Sequence, residues 1–157
     1  MREALLEAWR THDRINRMLL DAISDPGLTC TLSTRGGRDV AGQLAHLHNV
    51  RVQHLERRAK DLAKGLEKFP ARLSPSRHAL SKALDASGEA IGTFLSDVLL
   101  GVPKRRGFKK GIFTTLAYFV AHESHHRGGI LLTLKSSGHA VDKRTRDAIW
   151  GWDQITP

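Results

Sequence analysis

Apolar residues recur at three- and four-residue steps through four long stretches of the chain, and this period limits the fold more than any other feature. In the first stretch Leu5, Leu6, Trp9, Ile15, Leu19 and Leu20 keep the step, which predicts a helix from Glu3 to Ile23. Ser24-Asp25-Pro26-Gly27 stops it. Leu28 to Arg38, with Thr, Ser and paired glycines, reads as a long loop holding at most a short extended piece. Asp39 is the expected N-cap of a second helix from Val40 to about Lys68, with Val40, Leu44, Leu47, Val50 or Arg51, and Leu55 as its apolar positions. Its tail, RRAKDLAKGLEK, reads as a solvated end. After Phe69-Pro70, Ser74 ahead of Pro75 is the expected start of a third helix running to Leu100. Ala79, Ala83, Ala86, Ala90, Phe94 and Val98 lie near one face of it. A fourth runs from about Ile112 to Ser137, where Gly138 supplies the stop, and Val141 to Trp152 forms a short fifth. No strand pattern interrupts them. The expectation is an all-α fold, a four-helix bundle with a short C-terminal helix, in one domain over residues 1–157.

Length and composition agree with that reading. A chain of 157 residues suits one domain, and 40% hydrophobic with 26% charged residues excludes a disordered or fibrous class. The lone cysteine, Cys30, excludes an internal disulfide framework and a four-thiolate zinc site, and it suits a reducing compartment. No run approaches the roughly 18 uninterrupted apolar residues of a membrane span, and MREALLEAWR has no signal-peptide core. A cytoplasmic protein that does not enter a membrane is expected.

Nine histidines are the more informative excess, because His122, His125 and His126 crowd into the run HESHH. On a helix His122 and His126 project from one face, one turn apart, where two imidazoles can share a divalent metal. Gly128 and Gly129 follow them and suggest close helix approach or room for a ligand. The same residues spell H-E-x-x-H, which in a zinc peptidase makes Glu123 the general base. The extended peptidase form fails, because Leu132 stands where its third histidine would be. That leaves His139, Asp142, Asp147 and Asp153 as downstream third ligands for this alternative. In a bundle the third ligand can instead come from the second helix, whose LAHLHNVR offers His46 and His48. These two differ by about 200° around the axis and cannot both face the same way. His125, about 100° from its neighbours, and Glu123 are further candidates for chemistry. His54 reads as a surface residue. Nothing in the sequence brings His12 and Asn16 to the site.

LAHLHNVR on one long helix and HESHHRGGI on another resemble the DinB-like (YfiT-like) metalloenzyme superfamily over most of the chain, including its helix order and terminal WGW region. The resemblance implies a four-helix bundle binding a divalent metal, zinc or nickel, through three histidines. The family's helix-two setting matches Ala45-His46-Leu47 and its helix-four pair matches His122 and His126, so His46 is preferred and His48 is the alternative. The usual glutamine after H-R-G is Gly129 here, a departure that leaves that side chain's role vacant. The resemblance further implies a metal-dependent enzyme, a thiol S-transferase or a hydrolase, that activates a low-molecular-weight thiol or water, and it implies a homodimer. Three histidines leave a tetrahedral ion one open position, as catalytic sites do. Cys30, in a Thr-rich loop without an adjacent base, is not the expected nucleophile.

The formal net charge is +9, and Lys104 to Lys110 carries five cations around Phe108. Such a loop can contact nucleic acid, with Phe108 stacking on a base, and this is the third functional alternative. A solvated interhelical loop is the plainer reading. As a basic rim near a metal it would attract an anionic small-molecule substrate.

Overall fold

The computed structural model describes residues 1–155, so the last two positions of the expected 1–157 domain lie outside the described residues. Four long helices carry the fold: α1 (Arg2–Ala22), α3 (Val40–Arg58), α4 (Arg77–Leu99) and α5 (Ile112–Ser136). Two short ones, α2 (Asp25–Leu28) and α6 (Lys143–Ala148), and a 3-10 turn at Trp152–Gln154 complete it. There is no strand among the described residues. No helix is long and apolar enough to cross a membrane.

Each long helix contributes to two apolar clusters in a definite order. Along α1, Leu5, Leu6 and Trp9 enter one cluster, and Leu19 and Leu20 enter the other. Along α5, Phe119 belongs to the first, and Ile130 and Leu134 to the second. The order is reversed in α3, from Leu44 and Leu47 to Leu55, and in α4, from Leu80 and Leu84 to Phe94 and Leu95. Hence α1 and α5 run one way, and α3 and α4 run the other. A parallel α3/α4 pair needs a connection that returns the length of a helix, about 28 Å for 19 residues.

That return explains the largest departure from the sequence reading. The second helix ends at Arg58 instead of about Lys68, because the chain must double back along α3. Gly65 takes a left-handed φ of 82°, which an L side chain rarely adopts. Leu62, Ala63 and Leu66 pack on the cluster around Phe94, so RRAKDLAKGLEK is not simply a solvated end. Asn49 fastens the returning strand of chain: its amide donates to the Phe69 carbonyl and its carbonyl accepts from Phe69 N–H, both at 2.9 Å.

Other boundaries differ for local reasons. Ser24 ends α1 but also caps α2, its hydroxyl accepting from Gly27 N–H at 3.2 Å with Pro26 in the first turn. Asp39 caps α3 as expected, accepting from Gly42 N–H at 2.7 Å. Ser76, not Ser74, caps α4, and Arg77 just inside it reaches back to the carbonyls of Leu20 and Ile23 and to Asp25. The inward stripe of α4 is Leu80, Leu84, Ile91, Phe94 and Leu95, one step round from the alanine row, because the larger side chains gain more from burial. Ala86 is exposed. The expected fifth helix is the six residues of α6 followed by the 3-10 turn, and Trp150 is exposed.

Candidate metal centre

Between the two apolar clusters lies a layer of buried polar side chains. His12, Asp13 and Asn16 of α1, Arg51 of α3, Ser87 of α4, and Glu123 and Arg127 of α5 are all buried. Arg51 grips Glu123 with two hydrogen bonds, Nε to Oε1 at 2.7 Å and Nη2 to Oε2 at 2.8 Å, and its Nη1 lies 2.8 Å from Asp13 Oδ1. His12 Nε2 is 2.9 Å from Glu123 Oε2, and Asn16 donates to the same oxygen at 2.6 Å. A carboxylate only accepts, so His12 carries its proton on Nε2. Arg127 donates to Asn16 Oδ1 at 2.7 Å and to Ser124 Oγ at 2.8 Å. Burial opposes ionisation of Glu123, but the Arg51 charge and hydrogen bonds outweigh it and hold the carboxyl well below the usual range. Gly88 makes room for this layer: a Cβ there would stand 2.6 Å from Asp13 Oδ2.

The other side of α5 is different. His122 and His126, one turn apart, meet His46 of α3, with ring centres 5.4 Å (His46–His122), 4.7 Å (His46–His126) and 4.7 Å (His122–His126) apart. One nitrogen from each ring can be chosen so that all three lie within 4.8 Å of one another. The three side chains are half-buried, and no hydrogen bond engages their ring nitrogens among the described residues. His122 Nδ1 is buried without a partner. Burial pushes His46 and His126 down to about 4, assisted by the Arg38 charge at His46 and, at His126, by the neighbouring imidazoles ahead of Arg38. Burial lowers His122 as well, against the opposing pull of Glu123. All three rings are therefore neutral near pH 7, with the lone pairs that a divalent metal needs. Ligand atoms on a tetrahedral zinc stand about 3.4 Å apart, so a small closure of the rings would suit an ion. Tyr118, one turn before His122, stacks on its ring at 5.9 Å and 11°.

The remaining sequence candidates fall elsewhere. His48 is buried on another face of α3, its ring nitrogens 2.9 Å from the Ala83 carbonyl and 3.0 Å from the Glu67 carbonyl, and it has no place in the three-imidazole group. Glu123 points into the polar layer with both oxygens occupied, which takes it out of the general-base position of the peptidase alternative. His125 is exposed, its ring 5.4 Å from that of His126. None of the peptidase alternative's third ligands joins the group: Asp142 caps α6, Asp147 pairs with Lys143, Asp153 lies in the exposed 3-10 turn, and His139 lies near Ser24. His54 is not a surface residue: it is half-buried against Phe108, Tyr118 and Phe119. Gly129 comes close to the Gln43 side chain, whereas Gly128 faces open space.

A model of the DinB family matches residues 1–150, a span that includes every long helix and all three converging histidines. The chain belongs to the DinB family. Neither a curated protein nor a solved structure matches it. The polar layer of this DinB-family chain escaped the sequence reading, yet a signal was present. His12 and Asn16 stand in the apolar phase of α1 between Trp9 and Leu19, Arg51 stands between Leu47 and Leu55, and Glu123 between Phe119 and Ile130. Polar residues in phase with a core on three helices imply that they pair with one another.

Proposed function

We propose that this protein is a metal-dependent enzyme in which His46, His122 and His126 hold a divalent ion, zinc or nickel, and act on a small-molecule substrate. The observation that supports it is the convergence of three unpartnered imidazole nitrogens from two helices within 4.8 Å. Three neutral nitrogen donors suit such an ion and leave it one open position. The ion would supply Lewis acidity, favouring the deprotonated form of a thiol or of water near neutral pH. The chain's own part is positional. α5 presents two rings from one face, Tyr118 braces His122, and the buried layer behind fixes the rotation of α5. Glu123 serves that layer, so no proton transfer is assigned to it. The thiol-transferase and hydrolase forms of the reading both fit three imidazoles that leave an ion one open position.

Metal analysis of protein purified without a polyhistidine tag tests the reading. One equivalent of zinc or nickel is expected, and its loss is expected in His46→Gln. After cobalt replacement, adding a low-molecular-weight thiol should produce a thiolate-to-cobalt absorption band. A band that does not appear removes the thiol, and protein that takes up no metal removes the enzyme reading.

A further inference from the structure

His46 faces two neighbourhoods. One is the imidazole group. The other is a cleft of about 960 Å³ between the loop ahead of α3 and the 68–73 segment, which His46 itself lines. The lining is sharply unequal in charge. Arg35, Arg38, Lys68 and Arg72 line it, and among the described residues Asp39 is its only carboxylate. Asp39 is committed to capping α3, with Oδ1 on Gly42 N–H. Lys68 is paired with Glu56 at 2.7 Å. Arg35, Arg38 and Arg72 make no ion pair among the described residues. Arg38 is also the cation whose charge reaches both His46 and His126. Phe69, Pro70 and Leu73, on the same segment as Lys68 and Arg72, add an apolar surface to the lining.

Unpaired guanidinium groups beside a reactive centre are an incomplete recognition site. Arginine presents a planar fork that matches carboxylate and phosphoryl oxygens. The 104–110 loop, the sequence's own basic feature, does not fit this role as well. Its Arg105 is locked to Asp61 and Asp97, and Phe108 is covered by Arg58 and packed on Tyr118. Lys109 and Lys110 are exposed and do not line the cleft.

We infer that this cleft is the substrate cleft of the three-histidine centre, and that Arg35, Arg38 and Arg72 receive an anionic group, carboxylate or phosphoryl, of a small organic molecule whose reacting end lies at His46. The inference rests on the metal-enzyme reading for what happens at His46, but not for the binding of the anion. The molecule is amphipathic: its charged end meets the arginines and its carbon framework lies along Phe69, Pro70 and Leu73.

Calorimetric titration with phenylphosphonate, benzoate and uncharged benzyl alcohol tests it, on metal-free protein and on protein with one equivalent of zinc. At least one of the two anions should bind saturably in both forms, and benzyl alcohol should not. Whichever anion binds more tightly identifies the group received. In Arg35→Gln/Arg38→Gln, with its helical circular dichroism intact, that anion should bind about tenfold more weakly or worse. In Lys109→Gln/Lys110→Gln, which removes the same charge elsewhere, affinity should stay as in the wild type. Unchanged binding in the arginine variant, an equal loss in the lysine variant, or no saturable binding of either anion overturns the inference. Protein that binds the anion but takes up no zinc leaves the cleft standing and removes the metal reading alone.

Discussion

One helix, α5, carries two polar faces that behave in opposite ways. Glu123 and Arg127 turn inward, are buried, and have their charges met by Arg51, Asn16 and neighbouring groups. His122 and His126 turn toward α3, are half-buried, and meet only aromatic rings, with no hydrogen bond to their nitrogens. Burial alone does not separate the two faces. What separates them is satisfaction. The Glu123 carboxylate is fully engaged by Arg51, His12 and Asn16, and although His12 Nδ1 and Asp13 Oδ1 have no hydrogen bond, Asp13 keeps its ion pair with Arg51, whereas three neutral imidazoles aimed at one another have unused lone pairs. The H-E-x-x-H spelling runs across both faces, so its glutamate and its histidines belong to different structures.

Breaking the inner face should cost the most stability. Arg51→Met leaves Glu123 and Asp13 buried without their main partner, and a loss of about 3–5 kcal/mol is expected from urea unfolding. The fraction that still folds should bind metal with the wild-type stoichiometry. A variant as stable as the wild type would show that the layer contributes nothing to the fold.

The outer face should answer in reverse. His126→Ala removes a half-buried ring with no hydrogen bond, so the metal-free protein should lose less than about 1 kcal/mol. Metal content and any activity should disappear together. If the variant unfolds instead, the two faces are not energetically distinct.

A smaller effect concerns His54, close to the outer face. Burial, with the charges of Arg58 and Arg57, pushes it down to about 4. Between its ordinary value of 6.5 and about 4 the unfolded chain binds the proton and the folded chain does not. The stability it contributes is thus complete above about pH 6.5 and declines as pH falls through that window. His54→Gln should make the decline shallower, and the His54 ring should titrate near 4 by NMR. A midpoint near 6.5 would mean that the ring is solvated.

Much of this was legible in the chain itself. The phases of Leu5, Trp9 and Leu19, the cap at Asp39 and the one-turn spacing of His122 and His126 are local properties, and local physics reports them. The end of α3 is not local. Lys60 to Lys68 has helix-favouring residues, and only the parallel run of α3 and α4 forces the chain to leave the helix after Arg58. The choice between His46 and His48 is equally tertiary: one ring faces α5, and the other lies between the Ala83 carbonyl of α4 and the Glu67 carbonyl of the returning segment. The ionic layer was visible only as misplaced polarity, since Arg51 in an apolar phase makes sense only with Glu123 opposite.

The hydrogen bonds from His12 and Asn16 to Glu123 join residues 111 and 107 positions apart. Contacts of such long sequence separation close late, because the loop entropy must be overcome before they contribute. The amino-terminal helix therefore waits for the carboxy-terminal third of the chain before its histidine and asparagine have anything to hold. Until that docking, neither the carboxylate nor the two rings beside it on α5 can take up their positions. A nascent chain that has made α1, α3 and α4 has most of its apolar surface to bury but only one of the three converging imidazoles. Synthesis of α5, arrest of its rotation and convergence of the three imidazoles are thereby tied to a single event.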